Sequence, residues 1–188
     1  MDQTTESNYS IVIGLTEVIK TLNTFVSFRS SDDLLITALY VLLTFCINPA
    51  DGGFNMFPIL PFLLITGEPG SGKTQLMKVL KRLCFRARST SSISHAGFYR
   101  AVHNNRGTLL IDEAEDLQNY RQKSFRYADL LSGNERDGSV TLADIRSGGN
   151  VEYSTFGPKV FGNVKGIAHK ALKSRCIEIT LENPYEEE

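Results

Sequence analysis

A glycine-rich segment at residues 67–74 constrains this chain more than any other feature. It follows the apolar run at residues 62–66, and residues 72–83 have a helical pattern, so the order is strand, tight loop and helix. In the pattern G-x-x-x-x-G-K-[ST], glycines let backbone N–H groups turn inward around phosphate oxygens at the positive end of the helix. The pattern predicts a triphosphate site, and the alternative is a glycine-rich turn without a ligand. The predicted cradle comprises Gly67, Glu68, Pro69, Gly70, Ser71, Gly72, Lys73 and Thr74.

Two side chains of this cradle have distinct expected roles. Lys73 would reach the β- and γ-phosphates, and the Thr74 hydroxyl would hold Mg²⁺. A second apolar run ends in the adjacent carboxylates Asp112 and Glu113. Because phosphoryl transfer to water needs one group for the Mg²⁺ shell and another to orient and deprotonate the water, we assign Asp112 to the metal and Glu113 to the water. The alternative is a solvated helix N-terminus at which both carboxylates favour the macrodipole.

Charge is distributed unevenly along the chain, although the formal net charge is only −1. Residues 69–111 and 153–177 contain no acidic residue, so both segments are candidates to face polyanions. The alternative is that these cations lie near a triphosphate and on solvated helix faces. The first segment contains Lys73, Lys78, Lys81, Arg82, Arg86, Arg88, Arg100 and Arg106, and the second contains Lys159, Lys165, Lys170, Lys173 and Arg175.

Length and composition limit the class of protein. A chain of 188 residues can bury one core, or one core with a small appendage. Its three cysteines, Cys46, Cys84 and Cys176, are widely spaced, which suggests a reducing compartment. The polar N-terminus does not resemble a secretory signal, and the longest apolar region, residues 34–47, is too short to cross a bilayer. We therefore expect a cytoplasmic protein that does not insert into membranes.

Hydrophobic periodicity predicts an α/β fold with a helical beginning. Residues 11–28 and 31–46 have helical patterns, and the second is apolar nearly all round, so we expect it to be buried. From residue 60 onward, short apolar runs alternate with helical patterns, which predicts a parallel sheet covered on both faces. The predicted strands are residues 62–66, 85–89, 108–112, 158–163 and 176–181, and the helices after the loop are 72–83, 94–103, 114–131 and 167–173.

An insertion precedes the fourth predicted strand of this sheet. Residues 139–145 and 151–156 are strand-like and are joined by the sequence Arg-Ser-Gly-Gly-Asn, which predicts a β-hairpin. The expected organisation is a helical segment at 1–50 packed on the core, a nucleotide-binding core at 51–182 and an acidic tail at 183–188.

The order of these motifs resembles the core of AAA+ ATPases. It consists of a phosphate loop, an Asp-Glu Walker B strand, a hairpin, a strand ending at Asn163, and the run Ser174-Arg175-Cys176. That run is similar to the arginine-finger motif of clamp loaders and to the Ser-Arg-Phe run of MCM helicases. Residues 40–44, 62–66 and 156–160 resemble MCM-like ATPases of bacterial and archaeal mobile elements and phages. The resemblance covers most of residues 15–182 and implies a P-loop NTPase three-layer sandwich with a five-stranded parallel sheet.

The resemblance also implies roles for three further residues. Asn163 matches sensor 1, at the end of a strand expected between the phosphate-loop and Walker B strands, and would touch the γ-phosphate or the attacking water. Arg175 matches the arginine finger, which stabilises transition-state charge in a neighbouring subunit's site. Arg146, at the hairpin tip, would contact DNA phosphates. The alternatives are a turn asparagine, a surface arginine and a structural hairpin.

The implied function is hydrolysis of Mg-ATP between subunits of a homo-oligomeric ring, such as a hexamer, that moves or remodels single- or double-stranded DNA in mobile-element or viral replication. A nucleotide-gated switch acting on protein partners is the alternative. The sequence departs from the family because no helical lid or sensor 2 arginine follows the fifth predicted strand, which places fast autonomous hydrolysis in doubt. Three explanations are open: a minimal family member, a partner chain that supplies the missing part, or a fragment of a longer protein. ATP is favoured over GTP because Asn163-Val164-Lys165-Gly166 lacks the acid of a guanine motif. A small-molecule kinase fits poorly, since nothing resembles an acceptor-binding lid.

Overall fold

Helices and strands alternate along most of the chain. A computed structural model describes residues 3–47, 57–91, 95–112, 127–143, 148–163, 166–167 and 170–183. The elements are α1 (Gln3–Phe25), α2 (Ser31–Phe45), β1 (Phe62–Thr66), α3 (Lys73–Leu83), β2 (Arg88–Thr90), α4 (His95–Asn105), β3 (Leu109–Ile111), α5 (Tyr127–Ser132), β4 (Ser139–Ala143), β5 (Asn150–Ser154), β6 (Lys159–Gly162), α6 (Lys170–Lys173) and β7 (Cys176–Thr180). No described helix is long and apolar enough to cross a membrane.

Five parallel strands form the central sheet in the order β2-β3-β6-β1-β7. The predicted α/β class with a five-stranded parallel sheet is therefore confirmed. β1 and β6 are buried along their whole lengths, as expected of parallel strands covered on both faces. β6 pairs with β1 on one side and β3 on the other, so the strand before Asn163 lies where the family resemblance predicts.

Alternate side chains of β1 enter two hydrophobic clusters on opposite faces of the sheet. Leu63 and Ile65 belong to one cluster, and Phe62 and Leu64 belong to the other. The first cluster also contains apolar side chains of α1, α2 and α3, whereas the second contains those of α4, α5 and α6. The helices thus cover the sheet from both sides.

The second helix is buried on one face only, although its apolar composition predicts a buried helix. α2 begins after Ser30, whose side chain accepts a hydrogen bond from the Asp33 N–H at 3.1 Å. One face buries Ala38, Tyr40 and Val41, whereas the apolar side chains Leu35, Leu39 and Phe45 are exposed by 41%, 47% and 52%. Only one face meets α1 and the sheet, so apolar composition overstated the burial.

β4 and β5 form the predicted hairpin, an antiparallel pair with Ser139 opposite Ser154. The hairpin is fastened to α4, since the Ser154 N–H donates to His103 Nδ1 at 3.1 Å. Its tip at residues 144–147, including Arg146, lies outside the described residues, as does most of the helix predicted at 114–131. β2 begins later than predicted because Phe85 and Arg86 form a turn, with Arg86 at φ +43°.

Candidate phosphate and magnesium site

The loop after β1 has a backbone that glycine favours at three positions. Gly67, Gly70 and Gly72 have φ values of +149°, +88° and +91°. A Cβ atom on Gly67 would also clash with the Leu181 carbonyl oxygen and Ser71 Oγ. The loop closes on itself through a hydrogen bond from the Ser71 N–H to the Glu68 carbonyl at 3.1 Å. The sequence therefore specifies a tight loop at the carboxyl end of a buried strand.

Lys73 folds back over this loop. Its Nζ donates to the Gly67 carbonyl at 2.6 Å and to the Glu68 carbonyl at 2.7 Å. α3 begins at Lys73 without a side-chain cap on Gly72 and without an acidic residue in its first turn. The first N–H groups of α3 and the Lys73 ammonium therefore lie at the same end of the helix, which suits an anion. Thr74 lies in the same first turn and is exposed.

Asp112 and Asn163 lie at the same edge of the sheet as the loop. Asp112 directly follows β3, and a Cβ atom on Gly162 of β6 would lie 3.0 Å from Asp112 Oδ1, so the carboxylate sits beside the end of β6. Asn163 is buried, and its N–H donates to the Ile65 carbonyl of β1 at 3.0 Å. Because neighbouring strands are about 4.8 Å apart, the ends of β3 and β1 are separated by roughly 10 Å.

Arg175 lies at the opposite edge of the sheet. Its carbonyl accepts a hydrogen bond from the Phe62 N–H at the start of β1, at 2.9 Å. The loop begins at Gly67, and a strand rises about 3.3 Å per residue, which places the two ends of β1 roughly 16 Å apart. The structure therefore brings Lys73, Asp112 and Asn163 to one edge and does not bring Arg175 to them.

Lys159, one cation of the second acid-free segment, is not available to a polyanion. Its side chain is completely buried, and its Nζ donates to the carbonyls of Gly133, Thr155 and Gly157 at 3.1, 2.7 and 3.0 Å. The ammonium also lies 5.0 Å from the centre of the Phe62 ring. Burial lowers the pKa of Lys159 to about 7. Three carbonyl acceptors explain how this side chain is accommodated inside the fold.

The cations of the first acid-free segment have a different placement. Lys78, Lys81 and Arg82 are exposed on α3, and Arg86 and Arg88 are exposed on or before β2, which is an edge strand. None of these five side chains forms an ion pair with another described residue. One side of the sheet is therefore rich in cations without nearby acidic partners within the described part of the chain.

The described residues fit a phosphate-bearing ligand with a hard cation. The loop supplies a cradle that a Cβ at Gly67 would disturb, and the Thr74 hydroxyl and Asp112 carboxylate would supply oxygen ligands of the kind that Mg²⁺ prefers when it also binds substrate phosphates. Glu113 lies outside the described residues, so its assignment remains a prediction from the sequence.

Sequence reasoning missed two residues near the predicted ones. Gly162 leaves room for the Asp112 carboxylate, although its only sequence signal is a glycine at the end of an apolar strand. Asn134 holds Arg175 through a hydrogen bond from Nε to Oδ1 at 3.2 Å. Its only sequence signal is the turn composition of Ser132-Gly133-Asn134. No protein-family model matches the chain, and a search of curated proteins finds no similar sequence.

Proposed function

We propose that this chain is a P-loop ATPase of the AAA+ type that binds Mg-ATP at the carboxyl edge of its sheet. One observation carries the proposal: Lys73, Asp112 and Asn163 follow three adjacent strands, β1, β3 and β6, and meet at one edge beside a glycine cradle. Ligands of α/β sheets bind at this edge, beyond the carboxyl ends of the strands.

Each residue at this edge has a role in hydrolysis. The Lys73 ammonium and the first N–H groups of α3 would bind the phosphates, and Thr74 and Asp112 would hold Mg²⁺. When bound, Mg²⁺ would supply charge neutralisation on the phosphate oxygens. Asn163 would orient the water or the γ-phosphate, and Glu113 would accept the proton of the attacking water.

Arg175 requires a second copy of the chain. It lies at the amino edge of the sheet, too far from its own loop to reach a phosphate there. An arginine finger in this position acts on the nucleotide of a neighbour, which supports a homo-oligomer, proposed to be a ring, with nucleotide sites between subunits. Each chain would then contribute Lys73 to one site and Arg175 to another.

The exposed cations beside β2 support nucleic acid as the substrate of this ATPase. Phosphate backbones bind unpaired lysine and arginine side chains without sequence readout. A helicase-like motor in the cytoplasm, acting in mobile-element or viral replication, is therefore our proposal. If the protein is instead a nucleotide-gated switch for protein partners, single-stranded DNA will not change its rate of hydrolysis, whereas a motor will be stimulated in a salt-dependent way.

Binding of labelled ATP, measured by equilibrium dialysis with and without Mg²⁺, tests the proposal. Lys73→Ala should weaken binding by at least about tenfold because it removes a charge-assisted contact to phosphate. Lys78→Ala is the matched control, since Lys78 is exposed on the same helix, and it should bind ATP normally. Glu113→Gln should bind ATP but not hydrolyse it. Equal affinities for the wild-type protein and Lys73→Ala would refute the site.

A further inference from the structure

Arg175 is anchored by its own chain on two of its three guanidinium nitrogens. Nε donates to Asn134 Oδ1 at 3.2 Å, and Nη1 donates to the Ala171 carbonyl at 2.7 Å. Among the described residues, Nη2 has no acceptor. The hydrogen bonds of Nε and Nη1 fix the plane of the guanidinium. Nη2 therefore remains available to donate a hydrogen bond to a group from outside the chain.

Asn134 is well suited to hold this geometry. It is 6% exposed, and its carbonyl accepts a hydrogen bond from the Leu60 N–H at 2.8 Å, which ties it to the segment before β1. Its side-chain oxygen therefore has a fixed position relative to the start of the sheet. A long arginine side chain that is already ordered loses less conformational entropy when it contacts a phosphate.

The turn that carries Asn134 is itself clamped by the buried Lys159. Lys159 Nζ donates to the carbonyl of Gly133, the neighbour of Asn134, and to the carbonyls of Thr155 and Gly157 between the hairpin and β6. A Cβ atom on Gly133 would approach Lys159 Nζ to 2.6 Å, so the turn has little room to shift. Asn134 and its neighbour Gly133 thus connect Arg175 to the buried ammonium of Lys159.

We propose that Asn134 is a positioning residue that presents Arg175 Nη2 to the nucleotide bound by a neighbouring copy of the chain. This inference rests on the proposed function, because it assigns Arg175 a phosphate in another subunit. Asn134 contributes no group to the reaction and acts only through the guanidinium that it orients.

Steady-state kinetics and subunit mixing test this role. Asn134→Ala should lower kcat roughly tenfold with an unchanged KM, because misplacement of a transition-state contact affects turnover more than binding. Asn134→Asp keeps the oxygen acceptor and should retain most of the activity. When Asn134→Ala and Lys73→Ala copies are mixed, some sites combine Lys73 of an Asn134→Ala copy with the correctly held Arg175 of a Lys73→Ala copy. Activity should therefore recover. The same recovery is expected when Arg175→Ala is mixed with Lys73→Ala.

A measurement without nucleotide tests the anchor alone. In NMR spectra of protein labelled with ¹⁵N-arginine, the Arg175 Nε–H signal should be protected from solvent exchange in the wild type and Asn134→Asp, and unprotected in Asn134→Ala. An unprotected wild-type signal overturns the inference. So does a loss of activity in Asn134→Ala that mixing with Lys73→Ala does not rescue, if the same mixing rescues Arg175→Ala. A wild-type protein that does not hydrolyse ATP overturns the proposed function instead, and the NMR result still decides the anchor.

Discussion

The Tyr40 hydroxyl exchanges two hydrogen bonds with the backbone of Lys159, 119 residues away. It donates to the Lys159 carbonyl at 2.9 Å and accepts from the Lys159 N–H at 3.1 Å. Both residues are buried, so α2 supplies the hydrogen-bond partner for the first residue of β6. The helical beginning of the chain is thereby joined to the strand that precedes Asn163.

Tyr40→Phe should reduce the free energy of unfolding by about 1 to 3 kcal/mol, because two buried backbone groups lose their partner. Urea denaturation measures this change. Tyr153→Phe is the matched control, since Tyr153 is only half-buried and its hydroxyl makes no hydrogen bond with a described residue, and it should change stability by less than about 0.5 kcal/mol. If the two substitutions change the free energy of unfolding equally, the Tyr40 hydroxyl does not contribute to stability as proposed.

Stability should rise between pH 7 and pH 9 and be greatest near pH 9. Burial lowers the pKa of Lys159 from 10.5 to about 7, so the unfolded chain binds the additional proton above pH 7 and folding is favoured as pH rises. Burial raises the pKa values of Cys84 and Cys176 from 9.0 to about 12, which has the opposite effect above pH 9 because the unfolded thiols ionise first. The rise from pH 7 to 9 should be about 2 kcal/mol.

Urea titrations at several pH values of Lys159→Met and of the exposed control Lys78→Met test this assignment. The rise in stability between pH 7 and pH 9 should be absent in the first variant and persist in the second. A rise that remains in Lys159→Met would assign the titration to another group.

Gly162→Ala should impair the use of Mg²⁺. The added Cβ atom would lie 3.0 Å from Asp112 Oδ1, so the carboxylate must shift by a few tenths of an ångström. We expect hydrolysis to fall roughly tenfold and to require more Mg²⁺, since small displacements of a positioned group are costly. ATP binding without Mg²⁺ should be unchanged. Gly14→Ala is the control, because a Cβ there has nothing within 4 Å. An unaltered Mg²⁺ dependence in Gly162→Ala would argue against Asp112 as the metal ligand.

Arg88→Glu should weaken binding of single-stranded DNA several-fold and reduce the slope of log affinity against log salt by about 1 for each phosphate that the protein no longer neutralises. Fluorescence anisotropy of a labelled thymidine oligonucleotide at several salt concentrations measures both. Lys20→Glu makes the same change in net charge on α1, away from the β2 edge, and should have little effect. If both variants bind DNA alike, the cations beside β2 are a solvated surface.

Local signals were sufficient for the elements around the loop. The apolar run before Gly67 and the glycine pattern specified β1 and the start of α3, because a loop of this composition has few other conformations. The hairpin was equally readable, since turn residues separate two alternating runs. The position of β6 between β1 and β3 came from the family resemblance, because pairing between distant strands has no local signal.

Side-chain environments were harder to predict than elements. Lys159 belongs to a residue type that is almost always exposed, and only the three carbonyls that surround it in the folded chain explain its burial. The Asn134 contact with Arg175 joins a turn to the residue before β7, and no spacing pattern in the sequence predicts such a contact. The roles of Glu113 and Arg146 stay predictions, because both lie outside the described residues.

One hydrophobic cluster limits how far the chain can be truncated from its N-terminus. In this cluster Leu22 of α1 and Ala38 and Val41 of α2 pack with Leu63 and Ile65 of β1. An expression boundary placed after residue 50 would remove two of the three helices that cover one face of the sheet and expose apolar side chains to self-association. The first two helices must accompany the remainder in any recombinant version intended to remain folded.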